Sequence, residues 1–231
     1  MIEWQQLAYA IGVATLTWCY IFYLNWKFNI RSRYPEQQRD IIRNVIMNQL
    51  IQTITFVVLD ALTSSSENAS YDKSWGRESL KVVCAMVLID AYQYVFHVLA
   101  HKNKTLFLKI HSIHHKFVEP EPIGGFYNHI LESLVMDGGS FAFAQVITQM
   151  SPEAGALLGL FANLKTTHDH LGLYALKHDF KNDWMSLWSW VSDNDAEYHR
   201  LHHRRQNGNF EQPFFTMFDD LVGTRIDSSH T

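Results

Sequence analysis

Cysteine is nearly absent from this chain. Cys19 and Cys84 are the only two in 231 residues, and both sit inside apolar runs. Two such thiols build neither a disulfide scaffold nor a thiolate metal site. Charge is also scarce: Asp, Glu, Lys and Arg make up 18% of the residues, against about 25% in a usual soluble domain. Basic residues are outnumbered, 19 to 23, for a net charge of −4 and a pI near 6.3. That removes the basic footprint on which nucleic-acid binding depends. No repeat of fixed period and no low-complexity tract occurs. The length suits one domain, or two small ones, at roughly 100–200 residues each.

Long uncharged runs are present instead. Trp4 to Trp26 carries no charge and has Trp or Tyr near both ends, which fits the roughly 20 apolar residues of a bilayer span with aromatics at the interfaces. It is too long, and lacks the basic start, for a cleaved signal peptide. The following loop holds Lys27, Arg31, Arg33, Arg39 and Arg43 and should face the cytoplasm. A second run, Asn44 to Leu59, is made a mediocre span by its Asn and Gln content. A third, Val82 to Ala100, contains Asp90 and His97, with His101 just beyond; ionisable groups there should face a bundle interior or a site. A fourth, Gly138 to Leu164, is cut by Ser151-Pro152-Glu153 and reads as a helical hairpin. The mean hydropathy of −0.13 averages these spans with a polar segment, Lys165 to Thr231, that reads as a water-facing cap. The expectation is an all-α protein, a small membrane bundle of about four segments carrying a polar helical cap.

Histidine is the abundant residue, at 13. Five fall between His97 and His115, where even placement would give about one. His97 and His101 stand i, i+4 on one helical face. His111, His114 and His115 form HSIHH, and the same spelling returns as HRLHH at His199, His202 and His203, again with each triple expected on one helical face. Between the copies lie Asn128-His129 and His168-Asp169-His170. Neutral imidazole suits iron, copper, zinc or nickel, so spacing alone leaves the metal open. Eight paired or tripled histidines and one from each middle motif give ten nitrogens, enough for two metals. A structural zinc takes four ligands and a hydrolytic zinc three, and the HExxH protease motif is missing. Asp90 reads either as a buried hydrogen-bonded residue of an apolar helix or, the commoner use of a carboxylate beside a metal, as the acceptor that orients a ligand imidazole through its second nitrogen. His178 and His230 match no pattern and read as solvent histidines.

These boxes resemble those of the fatty acid hydroxylase superfamily of membrane di-iron enzymes, and within it the sphingoid base C4-hydroxylases. The resemblance runs from about Tyr23 to Arg225. Its most specific parts are DAYQYVFHVLAH (90–101), HSIHHK (111–116), YNHILES (127–133), KTTHDHLGL (165–173), NDAEYHRLHH (194–203) and NFEQPFFTMFDDLVGTR (209–225). Carried over motif by motif, it implies metal ligands at His97, His101, His111, His114, His115, His129, His170, His199, His202 and His203. The family's Asp-Asp-His reads His168-Asp169-His170 here, which leaves His168 as extra ligand, substitute or bystander. Its Asn-His-Pro reads Asn128-His129-Ile130, and Glu119-Pro120-Glu121-Pro122 departs from a more apolar loop. Asp90, Glu132, Asp169 and Asp195 are the candidates to orient ligand imidazoles.

The resemblance further implies two Fe2+ ions and O2, with electrons from NAD(P)H through cytochrome b5 and its reductase, a separate protein because no His-Pro-Gly-Gly haem motif is present. The partners it implies are that donor, a lipid substrate and the membrane. The reaction implied is hydroxylation of sphinganine or dihydroceramide at C4, with a sterol, a fatty acid or a specialised metabolite as alternative substrates, desaturation as an alternative outcome, and a non-catalytic metal-binding membrane protein as the rival. On this reading residues 1–81 are N-terminal membrane segments, residues 82–231 are one catalytic unit, and the protein is a multi-pass protein of the endoplasmic reticulum with its histidines facing the cytosol. Asn68-Ala69-Ser70 would then be lumenal, and Asn103-Lys104-Thr105 never glycosylated.

Overall fold

The computed structural model describes residues 4–64, 74–174 and 184–227; Asn68, His178 and His230 lie outside them. Among the described residues the chain is helical and has no strand. Helix α1 spans Trp4–Lys27, α2 Gln38–Ser64 and α3 Trp75–Lys102. A short α4, Lys104–Lys109, follows, started by the Asn103 side chain, which accepts from the amides of Thr105 and Leu106. After two 3-10 turns, His111–Lys116 and Pro122–Phe126, comes α5, Ile130–Thr148, which contains a π-turn at Ser133–Gly138. Helix α6 spans Pro152–Asp169, α7 Met185–Trp188, α8 Ala196–Arg205 and α9 Met217–Val222.

Among the described residues four helices are long and apolar enough to cross a membrane: Trp4–Lys27, Pro35–Leu59, Trp75–Lys102 and Ile130–Thr148. Only 22% to 39% of their most apolar windows is buried within the protein, so most of that surface points outward, as it does on helices solvated by lipid. Phe22, Ile54, Val83, Val146 and Ile147 are among the exposed side chains. Trp4 and Trp26 mark the two ends of α1, about 33 Å apart at 1.5 Å per residue, and both are exposed.

The hairpin expected over 138–164 is present, but its first limb begins at Ile130, so the YNHILES motif enters a membrane-length helix. Its break is built as the residues dictate. The Ser151 hydroxyl accepts from the Ala154 amide at 3.2 Å and caps α6, and Pro152 occupies the first helical turn, where its missing N–H costs nothing. Helix α6 packs against α1, α5 against α3, and α2 against α1 and the π-turn. One apolar core joins α3, α5 and α6 through Ile89, Ala144, Leu158 and Phe214. The polar residues that weaken α2 as a span face inward: Asn48 donates to the carbonyls of Phe126 and Asn128, and Gln52 to Asp137.

A candidate dinuclear metal centre

Nine of the ten expected histidines converge at one end of the bundle, in two sets. His97, His101, His111, His115 and His202 form the first; His114, His170, His199 and His203 form the second. Within each set the ligand nitrogens all lie within 4.8 Å of one another. Each HxxHH box feeds both sets. The first box gives its four-apart pair, His111 and His115, to the five-histidine set and His114 to the other. The second gives His199 and His203 to the four-histidine set and His202 to the first. Residues three and four further along a helix stand about 100° apart around its axis, so a triple straddles two centres more readily than it serves one. The shared-face expectation is therefore corrected, and the first box is a tight 3-10 turn rather than an α-helix.

The nitrogen geometry suits metal ions. His97, His111, His101, His115 and His202 form a chain of Nε2–Nε2 separations between 2.8 and 3.1 Å; His170, His199 and His203 do the same at 2.9 Å. Two imidazoles at right angles on one metal, each about 2.1 Å from it, have nitrogens about 3.0 Å apart. Between His97 and His111 a hydrogen bond is excluded: His97 donates Nδ1–H to Phe210 O at 2.7 Å and His111 donates Nδ1–H to Glu132, so two Nε2 lone pairs face each other at 3.1 Å. His202 donates Nδ1–H to Gly208 O at 2.9 Å and His170 to Thr166 O at 2.7 Å, which turns their Nε2 lone pairs toward the neighbouring Nε2 atoms. A cation stabilises lone pairs that converge in this way.

Metal-ligating imidazoles must be neutral. Burial first, then neighbouring imidazoles, holds His114, His115, His199, His202 and His203 well below the usual histidine value. Burial pushes His170 down to about 4.

His129 is not brought to either set. It stands at the start of α5, where its Nδ1 accepts from the Leu131 amide at 3.1 Å. His168 is buried but turned away, its Nδ1 paired with the Tyr20 hydroxyl at 3.0 Å. Of the four carboxylates expected to orient ligands, Glu132 alone bonds one of the nine converging imidazoles, accepting from His111 Nδ1. Asp195 caps α8 through the Tyr198 amide at 2.8 Å. Asp169 pairs with the fully buried Lys165, whose ammonium also donates to Asn194 O at 2.8 Å.

Asp90 acts at one remove. It accepts from the amides of Phe214 and Phe215 at 3.1 and 2.6 Å and so anchors a strap, residues 206–216, across α3 and α8. Asp219 accepts from the amides of Phe210 and Glu211 at 3.1 and 2.6 Å, and from the Tyr198 hydroxyl at 2.5 Å. The strap delivers the Phe210 and Gly208 carbonyls to His97 and His202, and the Gln212 side chain to His199. Gly208 is required where the strap crosses the chain, since a Cβ there would lie 2.4 Å from Thr224 O. Asp219, Glu211 and Asn194, which hold the strap by hydrogen bonds to backbone, are supporting residues that spacing did not single out, although their motifs carried the resemblance.

A cavity of about 180 Å³ opens from the histidines into the bundle. His97, His111, His114, His170 and His199 line one end; Ala10, Leu59, Met150 and Pro152 line the other. Pro152, Gly155, Gly159, Ala162, Thr166 and His170 of α6 line it at helical spacing. From Pro152 to His170 is about 27 Å at 1.5 Å per residue, close to the hydrocarbon thickness of a bilayer, about 30 Å.

Membrane-length helices, two imidazole sets that could hold metal ions and a cavity that opens from them into the bundle are the features of a membrane-embedded, metal-dependent enzyme class. The chain belongs to the fatty acid hydroxylase family, whose model matches residues 82–224. It is 31% identical over 210 residues to the very-long-chain aldehyde decarbonylase GL1-9 of Oryza sativa subsp. indica, covering 87% of this chain and 78% of that protein. It is 33% identical over 212 residues to sphinganine C4-monooxygenase 2 of Arabidopsis thaliana, with the same two coverages. Against sphingolipid C4-hydroxylase SUR2 of Saccharomyces cerevisiae it is 30% identical over 221 residues, 85% of this chain and 61% of that one. No solved structure matches.

Proposed function

We propose that the protein is a di-iron monooxygenase that hydroxylates a long-chain lipid, sphinganine or dihydroceramide, at C4. The observation that carries this reading is the cavity: a mostly apolar cavity, lined along α6 by small residues, that opens onto imidazoles of both converging sets. The sphingoid C4-hydroxylases among its relatives supply the substrate class. The nine converging histidines are the proposed ligands. An unactivated methylene has no acidic proton and no leaving group, so general acid–base chemistry does not hydroxylate it. Two iron ions on these nitrogens would supply the oxidant from O2 and two external electrons. Overall, one C–H bond becomes C–OH while O2, two electrons and two protons give one water. The chain's own contribution is placement. The strap carbonyls, Glu132 and the Thr166 carbonyl fix which nitrogen His97, His202, His111 and His170 present, the packed bundle keeps bulk water away, and the α6 face lays the chain along one line so that one carbon meets the centre.

In this reading electrons arrive from NAD(P)H through cytochrome b5, the histidine end faces the cytosol, and the membrane is the endoplasmic reticulum. The basic loop after α1 supports that orientation. Glycan on Asn103, whose side chain already caps α4, would contradict it. Residues 82–231 act as the catalytic unit. A second reading is favoured by the likeness to GL1-9: the same centre acting on a very-long-chain aldehyde. Expression in a host without a sphingoid C4-hydroxylase, beside His202→Ala, separates the two. Phytosphingosine with the wild type and none with the variant is expected; alkane in its place supports the aldehyde reading.

A further inference from the structure

Asp137 lies in the π-turn of α5 and lines the cavity. Five residues along an α-helix turn about 140° away from the starting direction. The i→i+5 hydrogen bonding of a π-turn brings residues five apart to one side. That turn sends Glu132 to the ligand His111 and leaves Asp137 on the cavity wall beside it.

Asp137 has a hydrogen-bond donor but no cation. Gln52 Nε2 donates to its Oδ2 at 3.0 Å, and among the described residues none of the ion pairs includes it. A carboxylate within a membrane-length helix is expensive, and such groups serve a site. A second polar group points to the same ligand. Gln49, one turn before Gln52 on α2, is 6% exposed, its Nε2 has no hydrogen-bond partner, and it lines the same cavity. A buried amide left without an acceptor costs about 1–3 kcal/mol.

We propose that Asp137 receives the free ammonium of a long-chain amino alcohol and that Gln49 donates to a hydroxyl of the same polar end. The substrate is then the unacylated base. This rests on the C4 reading above and deepens it. An aliphatic primary amine is protonated at neutral pH, as lysine is; N-acylation removes that charge. The placement is also right for the reaction. Three bonds of about 1.5 Å separate the nitrogen on C2 from C4, so the ammonium must bind next to the metal centre, and Asp137 stands next to Glu132.

The test is direct binding to the purified, metal-loaded full chain in detergent, with sphinganine and N-acetylsphinganine as probes, for the wild type, Asp137→Asn and Asp137→Glu. Metal content is measured on each sample. A charge-assisted hydrogen bond predicts roughly 10- to 100-fold tighter binding of the free base by the wild type. Asp137→Asn should remove that preference, and Asp137→Glu should retain most of it, with metal content unchanged. Equal binding of the two lipids by the wild type overturns the proposal. So does binding of neither, or an Asp137→Asn variant that loses both lipids equally or loses metal. Product analysis on the same wild-type protein keeps the two readings apart. Amine preference without C4 hydroxylation sinks the C4 reading and leaves the ammonium site, whereas C4 hydroxylation without amine preference does the reverse.

Discussion

Glu132→Gln isolates one contact between the protein and one metal position. Glu132 is 7% exposed and accepts from His111 Nδ1, so replacing it with an isosteric amide leaves volume and packing almost unchanged while removing the charge. The same geometry confines the effect: His111 belongs to the five-histidine set, and no residue of the four-histidine set bonds Glu132. Loss of a partner of this kind lowers metal affinity by about 10- to 100-fold, or roughly 1.4–2.8 kcal/mol. In a graded chelator titration the wild type should hold two ions per chain. The variant should give up one of them at about 10- to 100-fold less chelator and keep the other at the wild-type threshold. Retention of both ions at the wild-type threshold, or loss of both together, would refute the argument that Glu132 serves one centre by orienting one ring.

Gly208→Ala should push the strap away from Thr224 and withdraw the carbonyl that His202 donates to, costing about 1–3 kcal/mol as an overpacked site; thermal melts and bound iron should fall together. Gly159→Leu should narrow the channel, since a Cβ there already approaches Phe141 Cε1 at 3.9 Å. Turnover of an 18-carbon base should drop about tenfold or more while metal content stays constant, and an unchanged rate would show that the chain does not lie there. Acidification should destabilise the metal-free protein. His170 is held at about 4 against about 6.5 when unfolded, so between those values the unfolded state binds more protons and stability falls as pH is lowered. Denaturant midpoints from pH 7 to 4 check the sign, and a flat profile contradicts it.

Local spacing carried the part of the site that depends on local geometry. His97 with His101, and both HxxHH boxes, were legible because ligands on one turn keep their relation wherever the turn is placed. His170 joined them and His129 did not, because whether a lone histidine reaches a centre depends on how its helix packs: His129 is spent on starting α5. The polar residues of α2 read as a flaw in a span, whereas Asn48, Gln49 and Gln52 face the turns and the cavity. Asp90 showed its ionisable cost in an apolar helix, but its partners are backbone amides 124 and 125 residues away. No pattern within one segment reveals such a pair. The same holds for the strap, whose carbonyls select the ring tautomers while its side chains give no sign of it.

Insertion of oxygen from O2 into a long-chain base is measured by supplying membranes containing the wild-type protein with sphinganine, NADH and isotopically heavy O2, and weighing the product. A C4-hydroxylated base carrying one heavy oxygen atom is expected, and none from His202→Ala membranes. A product whose added oxygen comes from water, or the same heavy product from the variant, would contradict it.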